Sequence, residues 1–164
     1  MHQRVAELIT ALGLKPHPEG GHYAEVFRSL DRVQTPRGER GALTTIDFLL
    51  ARGEFSAWHQ VRSDEAWHLL EGGPLRLHVI HADFSGIETF ELGITLRRQV
   101  VPAGAWQAAE AIGDFAYAGA TVGPGFEFAD FSFGRDNGEL NEALTRIAPE
   151  LMRLQLRQAA LGWK

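Results

Sequence analysis

Residues 53–72 read GEFSAWHQVRSDEAWHLLEG, two hydrophobic and aromatic runs separated by the polar tripeptide at 62–64. Such a tripeptide is typical of a turn between two strands. Side chains two residues apart on a strand point to the same face, so His59 and Val61 share a face. We expect Glu65 to open the partner strand close to His59.

A second stretch, residues 102–107 (PAGAWQ), places Pro and Gly in a tight turn that leads into a strand at Gln107. Short β-prone runs separated by Gly, Pro, Asp and Ser extend over residues 22–133, and 18 Gly in 164 residues fit many tight turns. No helical pattern interrupts them, so we predict an all-β sandwich or closed barrel rather than a parallel βαβ sheet. The predicted strands cover residues 22–29, 43–51, 55–61, 65–70, 75–81, 88–92, 98–101, 107–111, 115–122 and 126–132.

Helical spacing is found near the two ends of the chain. Apolar residues at positions 5, 8, 9 and 12, followed by Gly13, predict a short N-terminal helix. Near the other end, apolar positions 140, 144 and 147 predict one helix, and Pro149 opens a second that carries Leu151, Leu154 and Leu161. We therefore expect one domain over residues 1–164, with a helix in 1–14, a barrel in 15–134 and a helical tail in 135–164.

Composition excludes several classes of function. The chain has no Cys, which rules out disulfides, thiolate metal sites and cysteine nucleophiles. A net charge of −5 argues against sequence-independent binding of nucleic acid, which needs a basic surface. No apolar run is long enough to span a membrane and the N-terminus lacks a signal-peptide pattern, so a cytoplasmic location is expected.

The two stretches together resemble the paired motifs of the cupins. The first is similar to the pattern G-x5-H-x-H-x3-E-x6-G, whose positions are filled by Gly53, His59, Val61 (at the second histidine), Glu65 and Gly72. The second is similar to P-x-G-x2-H, with Gln107 in place of the histidine. The resemblance implies a double-stranded β-helix, the jelly-roll cupin barrel, with a pocket at the barrel mouth.

The chain has a still closer resemblance to a little-characterised family of single-barrel cupins. It is carried by residues 16–21 (PHPEGG), 25–29 (EVFRS), 58–68 (WHQVRSDEAWH), 101–107 (VPAGAWQ) and 121–131 (TVGPGFEFADF). This resemblance implies a fold and a pocket but names no reaction. Many cupins form dimers, and the edge strand predicted at 22–29 is able to pair with a neighbour, so we expect a homodimer.

The resemblance also implies a possible metal site, because most metal-bearing cupins use three His and one Glu. Here the ligands would be His59, Glu65 and the side-chain oxygen of Gln107, whereas Val61 contributes none. An amide is a weaker ligand than an imidazole, so we expect no resident metal. A metal-dependent cupin enzyme that uses these three residues is kept as an alternative.

Without metal, His59 and Glu65 form a plausible acid–base pair in which the carboxyl group orients the imidazole. The leading hypothesis is a metal-independent isomerase- or epimerase-like enzyme that binds a small organic ligand, and a non-catalytic binding protein is the alternative. Residues expected to bind the ligand are Trp67, Gln107, Phe48 and Tyr117. Glu25 and Arg28 are expected on opposite faces of a strand, and Glu19 in a simple turn.

Overall fold

The computed structural model describes residues 2–156 as two antiparallel sheets packed face to face, with short helices at both ends. The all-β jelly-roll prediction is confirmed. The larger sheet has the order β1-β2-β5-β12-β7-β10, and the smaller one has the order β13-β6-β11-β8-β9. The strands are β1 (Lys15–Pro16), β2 (His22–Arg28), β3 (Arg32–Thr35), β4 (Gly38–Gly41), β5 (Thr44–Ala51), β6 (Phe55–Val61), β7 (Asp64–Gly72), β8 (Leu75–Ile80), β9 (Ile87–Leu92), β10 (Arg98–Val101), β11 (Trp106–Ala111), β12 (Phe115–Gly123) and β13 (Phe131–Phe133).

The first helix, α1 (Gln3–Leu12), follows the predicted spacing. Gly13 ends it with φ 62°, a left-handed conformation that glycine adopts without steric cost. Its buried side chains Val5 and Leu8 pack with Leu49 and Phe115 on the larger sheet. The helix thereby covers the outer side of β5 and β12.

The turn at 62–63 carries the chain from one sheet to the other. β6 pairs with β11 and β13 in the smaller sheet, whereas β7 pairs with β12 and β10 in the larger one. The expectation that β7 is the hydrogen-bonded partner of β6 is therefore wrong. The short turn instead makes a corner of the barrel, so His59 and Glu65 reach the interior from opposite sheets.

Two details near the barrel opening differ from the predicted strands. A separate hairpin, β3–β4, was not predicted. Residues 126–132 are not one strand, because a 3₁₀ helix (Phe128–Asp130) precedes β13. The Asp130 carboxylate is buried and accepts hydrogen bonds from Arg40 (2.8 and 3.0 Å) and Arg37 (3.1 Å). These two ion pairs anchor the hairpin to the 3₁₀ helix.

The C-terminal segment packs on the smaller sheet. Asn137 caps α2 (Gly138–Ile147) through its side chain, and a 3₁₀ helix (Pro149–Leu154) follows. The Trp58 indole donates a hydrogen bond of 3.0 Å to the Leu151 carbonyl and so holds this segment to β6. The prediction for Leu161 lies outside the described residues. Within 2–156, every helix is too short or too polar to cross a membrane.

Candidate functional site

His59 lies on β6 with 2% of its surface exposed. Its Nδ1 is 2.7 Å from the Ala57 carbonyl oxygen, which can only accept a hydrogen bond. The neutral imidazole therefore carries its proton on Nδ1 and keeps the lone pair on Nε2, which has no hydrogen-bond partner among the described residues. Burial lowers the pKa of His59, so the ring is neutral near pH 7.

Glu65 extends from β7 into the barrel interior, as His59 does from β6. Its carboxyl group is hydrogen-bonded to Gln107, which is in turn hydrogen-bonded to Trp67. The Gln107 amide nitrogen donates to Glu65 Oε2 at 2.6 Å, and the Trp67 indole donates to Gln107 Oε1 at 2.8 Å. Because an indole N–H can only donate, this contact fixes the orientation of the Gln107 amide. Burial, followed by the nearby Glu19 carboxyl, raises the pKa of Glu65 to about 7, against the opposing effects of His59 and Gln107.

Two further titratable residues, His17 and Glu19, join the site from the loop between β1 and β2. Glu19 is buried, accepts a hydrogen bond of 2.8 Å from the Ser56 hydroxyl, and places Oε2 3.2 Å from His59 Nδ1. Its backbone N–H donates to His17 Nδ1 at 3.1 Å, which leaves the proton of neutral His17 on Nε2. Burial raises the pKa of Glu19 and lowers that of His17.

Glu19 lies in a turn, as expected, since Gly20 N–H donates to His17 O at 3.0 Å, but the sequence did not predict that its side chain lines the cavity. Gly20 and Gly21 have φ values of 113° and 72°, and an added Cβ would lie 2.1 Å from Phe55 O and 2.6 Å from Leu49 O respectively. Only glycine allows the loop this close to β5 and β6. In the sequence, the Gly-Gly pair directly after Glu19 is the signal for a carboxyl group that enters the barrel. The same pair also occurs in turns with exposed side chains, so a single sequence does not distinguish the two cases.

His59, Glu65, His17 and Glu19 line one cavity of about 100 Å³. One water molecule needs roughly 10–15 Å³ of such space, so the cavity has room for a small organic molecule. Its apolar walls come from both sheets and from the segment before β13. The remaining lining residues are Tyr23, Glu25, Arg28, Thr44, Ile46, Val61, Ala120, Val122, Phe126, Glu127, Phe128 and Phe131.

Arg28 and Glu25 lie together among these lining residues. A β-bulge between Glu25 and Phe27 shifts the alternation of β2, so the two side chains meet instead of pointing to opposite faces as expected. Arg28 makes two hydrogen bonds to the Glu25 carboxylate, at 2.8 and 3.0 Å. It also donates to Phe126 O (3.0 Å) and to Glu127 (3.2 Å).

None of the four residues predicted to bind the ligand is among the residues that line this cavity. Trp67 and Phe48 pack edge to face in the barrel core, with ring centroids 5.6 Å apart, and Gln107 lies behind Glu65. Tyr117 points to the outer side of the larger sheet, where its hydroxyl donates to Asp47 at 2.9 Å. This corrects the expectation that Tyr117 faces the pocket: its inward neighbours on β12 are alanines, and Tyr117 occupies the alternate face.

The proposed ligand set of a metal does not fit these side chains. The Gln107 oxygen is engaged by Trp67, and the amide group turned towards Glu65 is the nitrogen, which has no lone pair for a cation. Val61 adds no donor atom. Within residues 2–156, no group of three or more His, Asp or Glu side chains has a geometry able to hold a metal ion.

Comparison with known proteins agrees with the barrel and its motifs. A sequence model of the family described as "Cupin superfamily (DUF985)" matches residues 6–134. No curated protein gives a significant match. A hypothetical protein from Leishmania major is 29% identical with a TM-score of 0.83, over 93% of this chain and 98% of that chain. A protein from Shewanella oneidensis is also 29% identical, with a TM-score of 0.76 over 93% and 97% of the two chains.

More distant similarity shows the fold alone. Oxalate decarboxylase from Bacillus subtilis superposes with a TM-score of 0.56 at 16% identity, over 91% of this chain and 42% of that chain. The capsular polysaccharide assembling protein CapF from Staphylococcus aureus gives 0.56 at 16% identity, over 73% and 31%.

Proposed function

Because the chain belongs to the DUF985 family of the cupin superfamily, we propose that its barrel cavity binds a small organic molecule and moves a proton within it, as isomerases and epimerases do. One observation carries the proposal. A neutral imidazole with a free Nε2 and a carboxyl group with a pKa of about 7 line the same buried cavity. General acid–base catalysis needs an unprotonated base and an acid that still carries its proton near the working pH, and His59 and Glu65 are such groups.

In this mechanism His59 Nε2 removes a proton from a carbon next to a carbonyl group. The protonated Glu65 donates a hydrogen bond to the carbonyl oxygen, which gains negative charge as the proton leaves. For an isomerase the imidazolium returns this proton to the former carbonyl carbon. Glu65 transfers its own proton to the carbonyl oxygen and accepts the proton of the hydroxyl group on the neighbouring carbon, so the protons balance and no oxidant or reductant is required. Glu19 Oε2, 3.2 Å from Nδ1, stabilises the imidazolium while it exists.

The test is solvent-deuterium exchange, because it detects proton transfer to carbon whatever product is formed. Purified protein is incubated in D₂O with a panel of small hydroxycarbonyl compounds, and mass spectrometry records deuterium that becomes bound to carbon. We expect exchange in at least one compound, and a loss of about 10²–10⁴-fold in its rate for His59→Gln. His68→Gln is the matched control, because His68 alternates with Glu65 and Trp67 on β7 and faces away from the cavity.

The pH dependence of the exchange provides a second check. Glu65 acts in its protonated form, so the rate should fall as the pH rises through about 7. A rate that continues to rise above this pH would contradict the role of Glu65 as the acid.

A non-catalytic binding protein is the second candidate. It is favoured by the chain of hydrogen bonds from Trp67 through Gln107 to Glu65. Such a chain fixes the position of a carboxyl group equally well in a site that binds a ligand without reacting with it. Ligand binding without deuterium exchange, and a His59→Gln variant that alters affinity alone, would support this candidate and overturn the catalytic one.

A further inference from the structure

Arg28 is the one cationic side chain among the described cavity residues, and its charge is already neutralised. Its Nε and Nη2 donate to Glu25, and its Nη1 donates to Phe126 O and Glu127. Four of the five guanidinium N–H groups are thus used. An incoming anion would find one unused N–H of Arg28 and would be repelled by the two carboxylates that already neutralise its charge.

The other titratable side chains add no positive charge. Burial lowers the pKa of both His17 and His59, so both imidazoles are neutral near pH 7. Four carboxyl groups line the cavity, from Glu19, Glu25, Glu65 and Glu127. Burial raises the pKa of Glu19 and Glu65, so the charge balance is taken from Glu25 and Glu127 alone. Their two carboxylates and the single guanidinium of Arg28 leave one net negative charge at the cavity wall.

The walls beside these carboxyl groups are aromatic. Tyr23, Phe126 and Phe131 line the cavity. The rings of Phe126 and Phe131 are nearly perpendicular, with centroids 6.1 Å apart. The faces of aromatic rings carry partial negative charge and attract ammonium groups, including quaternary ones that cannot donate hydrogen bonds.

We infer that the cavity selects a small organic cation, an amine or a quaternary ammonium compound, over neutral and anionic molecules of the same shape. The inference rests on the proposed function only in that the cavity binds a small ligand, and it does not require proton transfer. Carboxylates of Glu25 and Glu127 face the cationic group, while His59 and Glu65 contact the uncharged part of the molecule.

The test compares three probes of nearly equal size and shape that differ in charge: choline, 3,3-dimethyl-1-butanol and 3,3-dimethylbutanoate. Each is titrated at constant ionic strength, pH 7, with calorimetry or with NMR chemical shifts of the cavity residues. We expect choline to bind at least about tenfold more tightly than the alcohol, since the charge interacts with carboxylates in a partly screened environment. The anion should bind most weakly of the three.

A variant then assigns this preference to a named carboxylate. Glu127→Gln keeps the shape of a partly exposed side chain while it removes one charge, so the choline-to-alcohol ratio should fall severalfold. Glu142→Gln, an exposed carboxylate on α2 outside the cavity, is the matched control and should leave the ratio unchanged.

Equal affinity for choline and the alcohol, tighter binding of the anion, or no binding of any probe at millimolar concentration would each overturn the inference. Failure of the catalytic proposal is distinguishable from these results. If the protein prefers choline but exchanges no deuterium in any compound, the inference about charge stands and the proposed reaction is wrong. If the protein exchanges deuterium but shows no charge preference among the three probes, the proposed reaction stands and the inference about charge is wrong.

Discussion

Replacement of Glu65 with Gln tests whether the folded protein keeps this carboxyl group protonated. The substitution preserves the hydrogen bond behind the site, because the new amide oxygen can accept from the Gln107 nitrogen in place of Glu65 Oε2. It removes only the ability to titrate. Any difference in stability that depends on pH therefore reports on the ionisation of Glu65.

The sign and size of the effect follow from the pKa of Glu65, which is raised from 4.5 to about 7 mainly by burial. Between these values the unfolded chain releases the proton while the folded protein retains it, so the free energy of unfolding of the natural protein falls as the pH rises. The full difference amounts to roughly 3 kcal/mol. Relative to the natural protein, Glu65→Gln should thus gain stability progressively between about pH 4.5 and 7, and the gain should level off above that range.

The assay is urea unfolding of both proteins at a series of pH values between about 4 and 9. His17 and His59, whose pKa values are lowered by burial, destabilise the folded state below about pH 6.5, with the opposite slope. Both proteins contain these histidines, so the difference between the two curves reports on Glu65 together with its electrostatic effect on the pKa of His59. A flat or falling difference for Glu65→Gln would mean that the carboxyl group is ionised throughout, and would refute its role as the acid.

Three other predictions follow from the same structure. Gly20→Ala should destabilise the protein by at least about 1–3 kcal/mol in urea unfolding, because the new Cβ adopts a disfavoured φ and meets Phe55 O, and unchanged stability would contradict the observed loop. Val61→His combined with Gln107→His restores three imidazoles and a carboxylate, so elemental analysis should find a bound transition metal in the double variant. A folded double variant without metal affinity would show that these positions do not face one site. The natural protein should be a homodimer by light scattering, because β2 is paired by β1 only at residues 22 and 23 and leaves Phe27 half exposed on the remaining edge. A mass of 18.1 kDa at micromolar concentration would rule this out.

The barrel could be predicted because its signals are local. Turn residues separate the strands, and the boundaries of β6 and β10 match the predicted ones because Gly, Pro and polar residues flank them. The hairpin β3–β4 was missed because its residues are mostly polar or Gly, so the sequence there lacks the alternation of apolar and polar side chains that identifies a half-buried strand.

The site could be predicted only in part. His59 and Glu65 were found because the motif spacing fixes their places on two strands that are consecutive in the chain and lie in opposite sheets. Glu19 was missed because its burial depends on a backbone approach between Gly20 and β6, a tertiary contact that no spacing along the chain encodes. The partnership of Arg28 with Glu25 was missed because it depends on a bulge, which reverses the alternation from which faces are assigned.

The two departures from the cupin motif act together on Glu65. Imidazoles at positions 61 and 107 would bring a metal cation beside the carboxyl group, and a cation favours its ionised form. With Val61 the site loses that ligand, and with Gln107 it gains a hydrogen-bond donor whose orientation Trp67 fixes. Both His59 and this donor favour the ionised form of Glu65, but burial outweighs them and raises its pKa to about 7. The same residue that would serve as a metal ligand in a complete motif thereby becomes a carboxylic acid able to donate a proton at neutral pH. The loss of two ligands therefore changes the chemistry open to the cavity rather than removing it.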